Sequence, residues 1–349
     1  MCTMHSPSDH SITWTLPLST DLPLRRRYLL VDDDIKANLR FGLLLETLDL
    51  LAGEAAMSLV GRCGGDARVV TAAVDGIQIR STAEIDRDIV MHARINHVFT
   101  TSLEVGIRIE QMNGGVAKHV ASCYFTMAAR KGTTSLPLPA LTYTDESERR
   151  RSAEAIARRE AYIHGRSVAE RQPSSEEYAL LSALHAAQDH DEFNGRLAAD
   201  LTTSGWEETY PEHENVPQKI FGGHVIHRAF VYATICAELA APNRPVIVSV
   251  NRINFHHPVR IGDRLQFGSR VVYTGWSSIV VEVDIVRHSR DRTTTALCNT
   301  CIFTFSNVNE ALQPQEVPEV YPSTYGEDAR YLSAYRRHLE YTALTGRAS

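Results

Sequence analysis

The sequence predicts an α+β chain made twice from one unit, a long buried helix followed by an antiparallel sheet. Three observations predict it. An apolar run opens on Phe41-Gly42 as FGLLLETLDLLAGEAAMSLV, and a second opens on Phe221-Gly222-Gly223 as FGGHVIHRAFVYATICAELA. Several strand-like runs follow each helix, closing on CYFTM from Cys123 and on CIFTF from Cys301. The offset between the halves stays near constant, 180 residues at the phenylalanines and 178 at the cysteines, as a duplication requires.

Taken in order, residues 1–24 read as an N-terminal extension. They contain no Lys or Arg and no sustained apolar core, so they do not read as a secretory signal. Asp9 and Asp21 precede the first arginine, which makes a poor mitochondrial transit segment. Residues 25–140 form the first unit. Its helix, Leu43 to about Val60, is apolar nearly all round and is expected to be buried on more than one side. Four strand-like runs follow: ARVVTAAVDGIQIR, DIVMHARINHVF, TSLEVGIRIEQMN and AKHVASCYFTMAAR. Asn113-Gly114-Gly115 between the last two is a hairpin signal.

Residues 141–200 are rich in Arg, Glu and Ala and read as a mostly helical, solvated linker. Pro173-Ser174-Ser175-Glu176 marks a helix start within it. Residues 201–312 repeat the unit, with a helix from Gly223 to about Ala240. A turn then runs from His257-Pro258 through Gly262-Asp263 between β-branched runs. Residues 313–349 are a tail ending in an amphipathic helix. One long helix and a mostly antiparallel sheet, made twice, fits two tandem hotdog folds, each sheet wrapping its helix.

Composition narrows the function. At 349 residues, 43% hydrophobic and 22% charged, the chain has the make-up of a soluble globular protein. A net charge of −6 argues against a nucleic-acid surface. No apolar run reaches the roughly 20 residues of a membrane span. Of the cysteines (Cys2, Cys63, Cys123, Cys236, Cys298, Cys301), only Cys298 and Cys301 are close in sequence. In a strand, residues three apart face opposite sides, so the cysteines read as reduced structural thiols rather than zinc ligands.

Asp49 stands out inside LLLETLDLLAG, where a buried carboxylate needs a partner or a task. Burial would raise its pKa and make it a usable base. The alternative is that Asp49 and Glu46 line the one exposed stripe of the helix. The duplication adds an asymmetry: Asp49 aligns with Ala229, and Gly42-Leu43 with Gly222-Gly223. Two glycines at a helix start admit a ligand close to free N–H groups at the positive end of the helix dipole, where an oxyanion is stabilised. They also serve tight helix–sheet packing. His224 and His227, and the adjacent His256-His257, lack the further ligands of a metal site. No Gly-x-Ser-x-Gly elbow and no phosphate-binding glycine loop is present.

Ordered motifs carry a family resemblance. DLPLRRRYL, RFGLLLETLDLLAG and YFTMAAR in the first half, then KIFGGHVIHRAF, RPVIVSVNRINFHHPVRIGDRL, CIFTFS and YPSTYGEDARYL, resemble the acyl-coenzyme A thioesterases with double hotdog domains. The resemblance spans roughly residues 20–335. It implies a tandem hotdog hydrolase of fatty acyl-CoA that needs no metal or redox cofactor. It implies a catalytic acid in a Leu-Asp-x-x-Ala-Gly context, here Asp49, facing the glycines of the other unit, Gly222 and Gly223. The family often carries an asparagine just before those glycines; here Gln218-Lys219 stand there, with Asn215 earlier, so Gln218 is expected to supply the amide on a longer stem. Asn38, at the corresponding place in the first repeat, is expected to be a remnant or structural. The resemblance further implies a homo-oligomer, a trimer of double-hotdog chains, and a mitochondrial location, with the cytoplasm as the alternative. Two rival functions stand beside hydrolysis. The Gln218 departure leaves open a non-catalytic acyl-CoA binder. Enoyl-thioester hydration is the other, but it usually wants a histidine beside the acid, and the first helix has none.

Overall fold

The computed structural model describes residues 5–169, 171–216, 219–251 and 253–345. The first unit runs β1 (Ile12–Leu16), α1 (Leu22–Tyr28), α2 (Phe41–Val60), β2 (Ala67–Ile79), β3 (Ile89–Val98), β4 (Ser102–Asn113), β5 (Val116–Lys131) and a short β6 (Thr134–Ser135). Helices α3 (Glu146–Ala169) and α4 (Ser175–Gln188) and a short β7 (Arg196–Leu197) lead into the second unit. That unit runs β8 (Thr202–Glu208), β9 (Glu214–Val216), β10 (Lys219–Ile220), α5 (Gly222–Ala240), β11 (Arg244–Val250), β12 (Ile253–Asn254), β13 (Arg264–Thr274), β14 (Ser278–His288) and β15 (Thr295–Val308). A short β16 (Val320–Tyr321) and α6 (Tyr325–Thr345) close the chain.

One antiparallel sheet spans both units in the order β1-β3-β4-β5-β2-β11-β15-β14-β13-β8. The halves are mirror orders of each other, joined where β11 pairs β2 (Ser249 with Gln78, Val250 with Ile77) and β12 continues the seam. The duplication is therefore an internal pseudo-dimer with a continuous sheet.

The edge strand β1 corrects the sequence reading. Residues 1–24 are not merely an extension: Ile12-Thr13-Trp14-Thr15-Leu16 pairs with β3 and is the counterpart of β8 at the other edge. Alternating β-branched and aromatic residues suit a half-buried strand. The hairpin at Asn113 is as read, with Asn113 paired to Val116 and both Gly114 and Gly115 at positive φ, 57° and 85°, which a two-residue hairpin turn favours.

The inner face of the first half-sheet presents Met91, Ala93 and Ile95 from β3, Ile107 and Ile109 from β4, and Cys123, Phe125 and Met127 from β5. All are buried in the core with α2. Phe267, Val283, Ile285, Cys301 and Phe303 do the same against α5. Each of the Ile, Val, Met and Phe side chains among them contributes on the order of 2 kcal/mol of burial free energy. The two helices run antiparallel against one another, Phe41 meeting Phe230 with ring centroids 5.4 Å apart. All five described cysteines are free.

The linker is less solvated than its composition suggests. α3 lies on the outer face of the first half-sheet, with Ala155 fully buried and the Arg158 guanidinium bonded to Glu104 at 2.7 Å and stacked over Tyr124. α6 covers the second half-sheet in the same way, Arg330 bonding Glu282 at 3.0 Å. α4 starts with the expected capping box, Ser174 Oγ accepting from Glu177 N and Glu177 Oε2 accepting from Ser174 N. No helix among the described residues is long and apolar enough to cross a membrane.

Candidate active site

Asp49 lies in the third turn of α2 and is only 1% exposed. The exposed stripe of that helix is formed by Leu50 and Glu54 instead, so the surface reading of Asp49 is overturned. Its carboxylate has two partners. Oδ2 accepts from the Gly223 backbone N–H of the other repeat at 2.7 Å, and Oδ1 accepts from the Thr71 hydroxyl on β2 at 2.7 Å. Burial raises Asp49 to a pKa of about 6; the Thr71 and Gly223 hydrogen bonds pull the other way and do not overcome it. A carboxylate titrating there is largely ionised at neutral pH yet basic enough to take a proton.

The glycines have a steric reason. A Cβ on Gly223 would sit 2.9 Å from Asp49 Cβ and 2.7 Å from the Phe221 ring. One on Gly222 would sit 3.1 Å from the Phe255 ring and 3.4 Å from Asp49 Oδ2. The sequence reading had both glycine N–H groups open to an oxyanion. That needs amending: the Gly223 N–H is donated to Asp49, while the Gly222 N–H, at the first helical position, has no acceptor within the helix. Phe221, the N-cap residue of α5, provides no side-chain cap, so Asp49 caps this helix from the opposite repeat and places negative charge at its positive end.

One turn before Asp49, Glu46 Oε1 accepts from His224 Nδ1 at 3.1 Å and His227 Nδ1 at 2.9 Å. Burial alone would raise Glu46, but the two imidazole hydrogen bonds outweigh it and hold the carboxyl at about 2. These contacts clamp the first two turns of α5 to α2 and so fix Gly223 against Asp49. Among the described residues no group of three His, Cys, Asp or Glu side chains is arranged to hold a metal ion.

Asn38 lies apart from this centre. Asn38 is 3% exposed and spends its amide on a loop, accepting from Leu30 N and Val31 N and donating to Val31 O and Asp33 O. It is structural. Gln218 lies outside the described residues. Thr71 was missed by the sequence reading; within ARVVTAAV a threonine looks like any β-branched strand residue.

Residues 39–118 and 220–294 each match the thioesterase superfamily. The hotdog thioesterase domain is thus found twice in the chain, once in each repeat. It is 28% identical to human mitochondrial acyl-coenzyme A thioesterase 9 over 353 residues, covering 94% of this chain and 76% of the relative. It is 28% identical to the chloroplastic acyl-coenzyme A thioesterase 2 of Humulus lupulus, covering 94% and 80%. Among solved structures, the acyl-CoA hydrolase of Staphylococcus aureus with butyryl coenzyme A is 26% identical. It covers 42% of this chain and 90% of its own, with a TM-score of 0.40.

Proposed function

We propose that this chain is an acyl-CoA hydrolase that cleaves fatty acyl thioesters to free acid and CoA. The observation that carries the reading is a buried carboxylate, Asp49, set against the glycine-flanked start of the opposite repeat's helix. The relatives' thioesterase names supply the substrate class. In this mechanism the substrate carbonyl oxygen enters at Gly222 and takes the Gly223 N–H from Asp49 Oδ2. Losing that hydrogen bond raises the Asp49 pKa further, so the base strengthens as substrate arrives. Asp49 then accepts a proton from a water that attacks the thioester carbon. The resulting oxyanion is held by the glycine N–H groups and the helix dipole. Collapse breaks the C–S bond, and the proton passes from Asp49 to the leaving thiolate. Direct attack by Asp49, through a transient anhydride, uses the same groups. Gln218 is assigned the orienting amide. The catalytic unit pairs the hotdog domains at residues 25–140 and 201–312.

The test is release of free thiol from acyl-CoAs of increasing chain length, without added metal or nucleotide. Turnover is expected across part of the panel; none, with acyl-CoA binding retained, would leave a binding protein. Further assembly, as a trimer of chains, is supported by apolar side chains left exposed on both long helices: Leu50, Ile235 and Leu239. A single-chain mass by light scattering would overturn it. A mitochondrial location rests on the mammalian relatives' names, and a tagged full-length protein that stays in the cytosol would refute it.

A further inference from the structure

The outer faces of the two half-sheets differ in charge at equivalent ladder positions. In the second repeat Arg270 on β13 stands across from Glu282 on β14, and its guanidinium bonds Glu282 at 2.8 Å and Asp284 at 2.7 Å. In the first repeat Arg94 on β3 stands across from Gly106 on β4, and the position matching Asp284 is Arg108. Two carboxylates are thus replaced by a glycine and a second arginine. Where α3 lies over this face it adds Arg150 and Arg151, and the four arginines line a cleft of about 470 Å³ floored by Tyr124.

The acidic groups at this cleft are mostly engaged. Glu110 accepts from Arg108 at 2.6 Å, and Glu154 lies 3.8 Å from Arg150. Glu104 is held by Arg158, and Glu148 accepts from the Thr144 N–H and hydroxyl. His92 lies 3.5 Å from Glu110. The guanidiniums of Arg94 and Arg151, both half-buried residues, make no hydrogen bond or ion pair among the described residues. Burial, and then Arg94, hold Arg151 below the ordinary arginine range, although Asp145 and Glu148 act against this. Two half-buried guanidiniums that line one cleft and repel each other carry an electrostatic cost that a bound anion would relieve. A protein of net charge −6 has no general reason to concentrate arginines there.

We infer that the cleft between α3 and the outer face of β3, β4 and β5 is a binding site for a phosphate-bearing anion, clamped by Arg94 and Arg151. Planar guanidinium pairs match phosphate oxygens in geometry as well as charge. Met91, Ala93 and Ile95 point to the opposite, inner face, where α2 and Asp49 lie, so the cleft is separated from the candidate active site by the sheet itself. Two sources of phosphate share this chemistry: the phosphates of CoA and a separate polyphosphate compound.

Calorimetric titration of the full chain with inorganic triphosphate, CoA and pantetheine tests the assignment. Arg94→Ala is expected to weaken binding of a phosphate-bearing probe by about tenfold or more, the scale of one lost charged hydrogen bond. Arg108→Asp, which reproduces the carboxylate of the second repeat, should do the same, and Arg108 is exposed enough for the fold to tolerate it. If triphosphate binding falls while CoA binding stays, the ligand is a separate phosphate compound. If CoA binding falls while pantetheine binding stays, the cleft holds the phosphates of CoA; either result supports the site. Unchanged affinity for both triphosphate and CoA in the folded variants would overturn it.

Discussion

The starts of α2 and α5 occupy equivalent places in the duplicated fold, yet their N–H groups are spent differently. At α2 the Leu43 and Leu44 N–H groups donate to the Arg40 carbonyl at 3.0 and 3.4 Å, so the helix closes on its own lead-in chain. At α5 the Gly223 N–H, the counterpart of Leu43, donates to Asp49 on the other repeat. The symmetric mate of Asp49 is Ala229, fully buried and apolar. One helix end is thus sealed with a leucine side chain and a local carbonyl, while the other is left open to a carboxylate and, in the proposed reaction, to substrate. A duplicated protein can keep the packing of a site in both copies and its chemistry in one.

The largest effect that would break this comparison is expected from Asp49→Asn. The swap is nearly isosteric, so the fold should survive. Loss of the base is expected to lower kcat by about 100-fold or more, at the common scale for general-base removal. Stability should move the other way. Because the folded-state pKa of Asp49 is raised from 3.8 to about 6, the stability available with the proton bound is complete below the unfolded value and is lost as pH rises through about 6. At pH 8 the variant, which has no charge to bury, should therefore be more stable than the parent by up to about 3 kcal/mol, and the difference should vanish near pH 4. Urea unfolding at both pH values measures this. Equal activity in parent and variant would place the chemistry elsewhere.

Next in size is Thr71→Val. The Thr71 hydroxyl lowers the Asp49 pKa by hydrogen-bonding the ionised form. Without it Asp49 should titrate higher, so the acidic limb of kcat/KM should shift upward from about 6. Turnover at pH 6.5 should fall by roughly tenfold while that at pH 8.5 changes much less. A uniform loss at every pH would instead mean that Thr71 only shapes the pocket.

How much of this was legible differs by residue. The two helices, the strands after them and the Asn113 hairpin were readable because apolar periodicity and turn chemistry are local signals. β1 was missed because it lies before the helix, in a short run whose pairing with β3 is visible only in three dimensions. Asp49 and Gly223 were readable as exceptions, a charge in an apolar helix and a doubled glycine. Thr71 and the clamp of Glu46 on His224 and His227 were not, since their residue types are unremarkable in place and the clamp joins positions 178 and 181 residues apart. The arginine cleft was hidden for a related reason: a period-2 strand disperses its outer-face charges among apolar neighbours, and only the ladder register brings Arg94 and Arg108 together.

The smallest effect on turnover should come from Asn38→Ala, at the place in the first repeat that corresponds to the residues before the glycines in the second. Its four hydrogen bonds all go to backbone groups of residues 30–33, and none reaches Asp49. Removing a buried amide leaves those donors and acceptors unsatisfied, at a cost of roughly 1–3 kcal/mol each where water cannot replace it. Chemical denaturation should therefore show a clear loss of stability, with kcat per folded molecule within about twofold of the parent. The reverse outcome, intact stability with crippled turnover, would mean that the sealed helix end still does chemistry. The two sites would then be assigned the wrong way round.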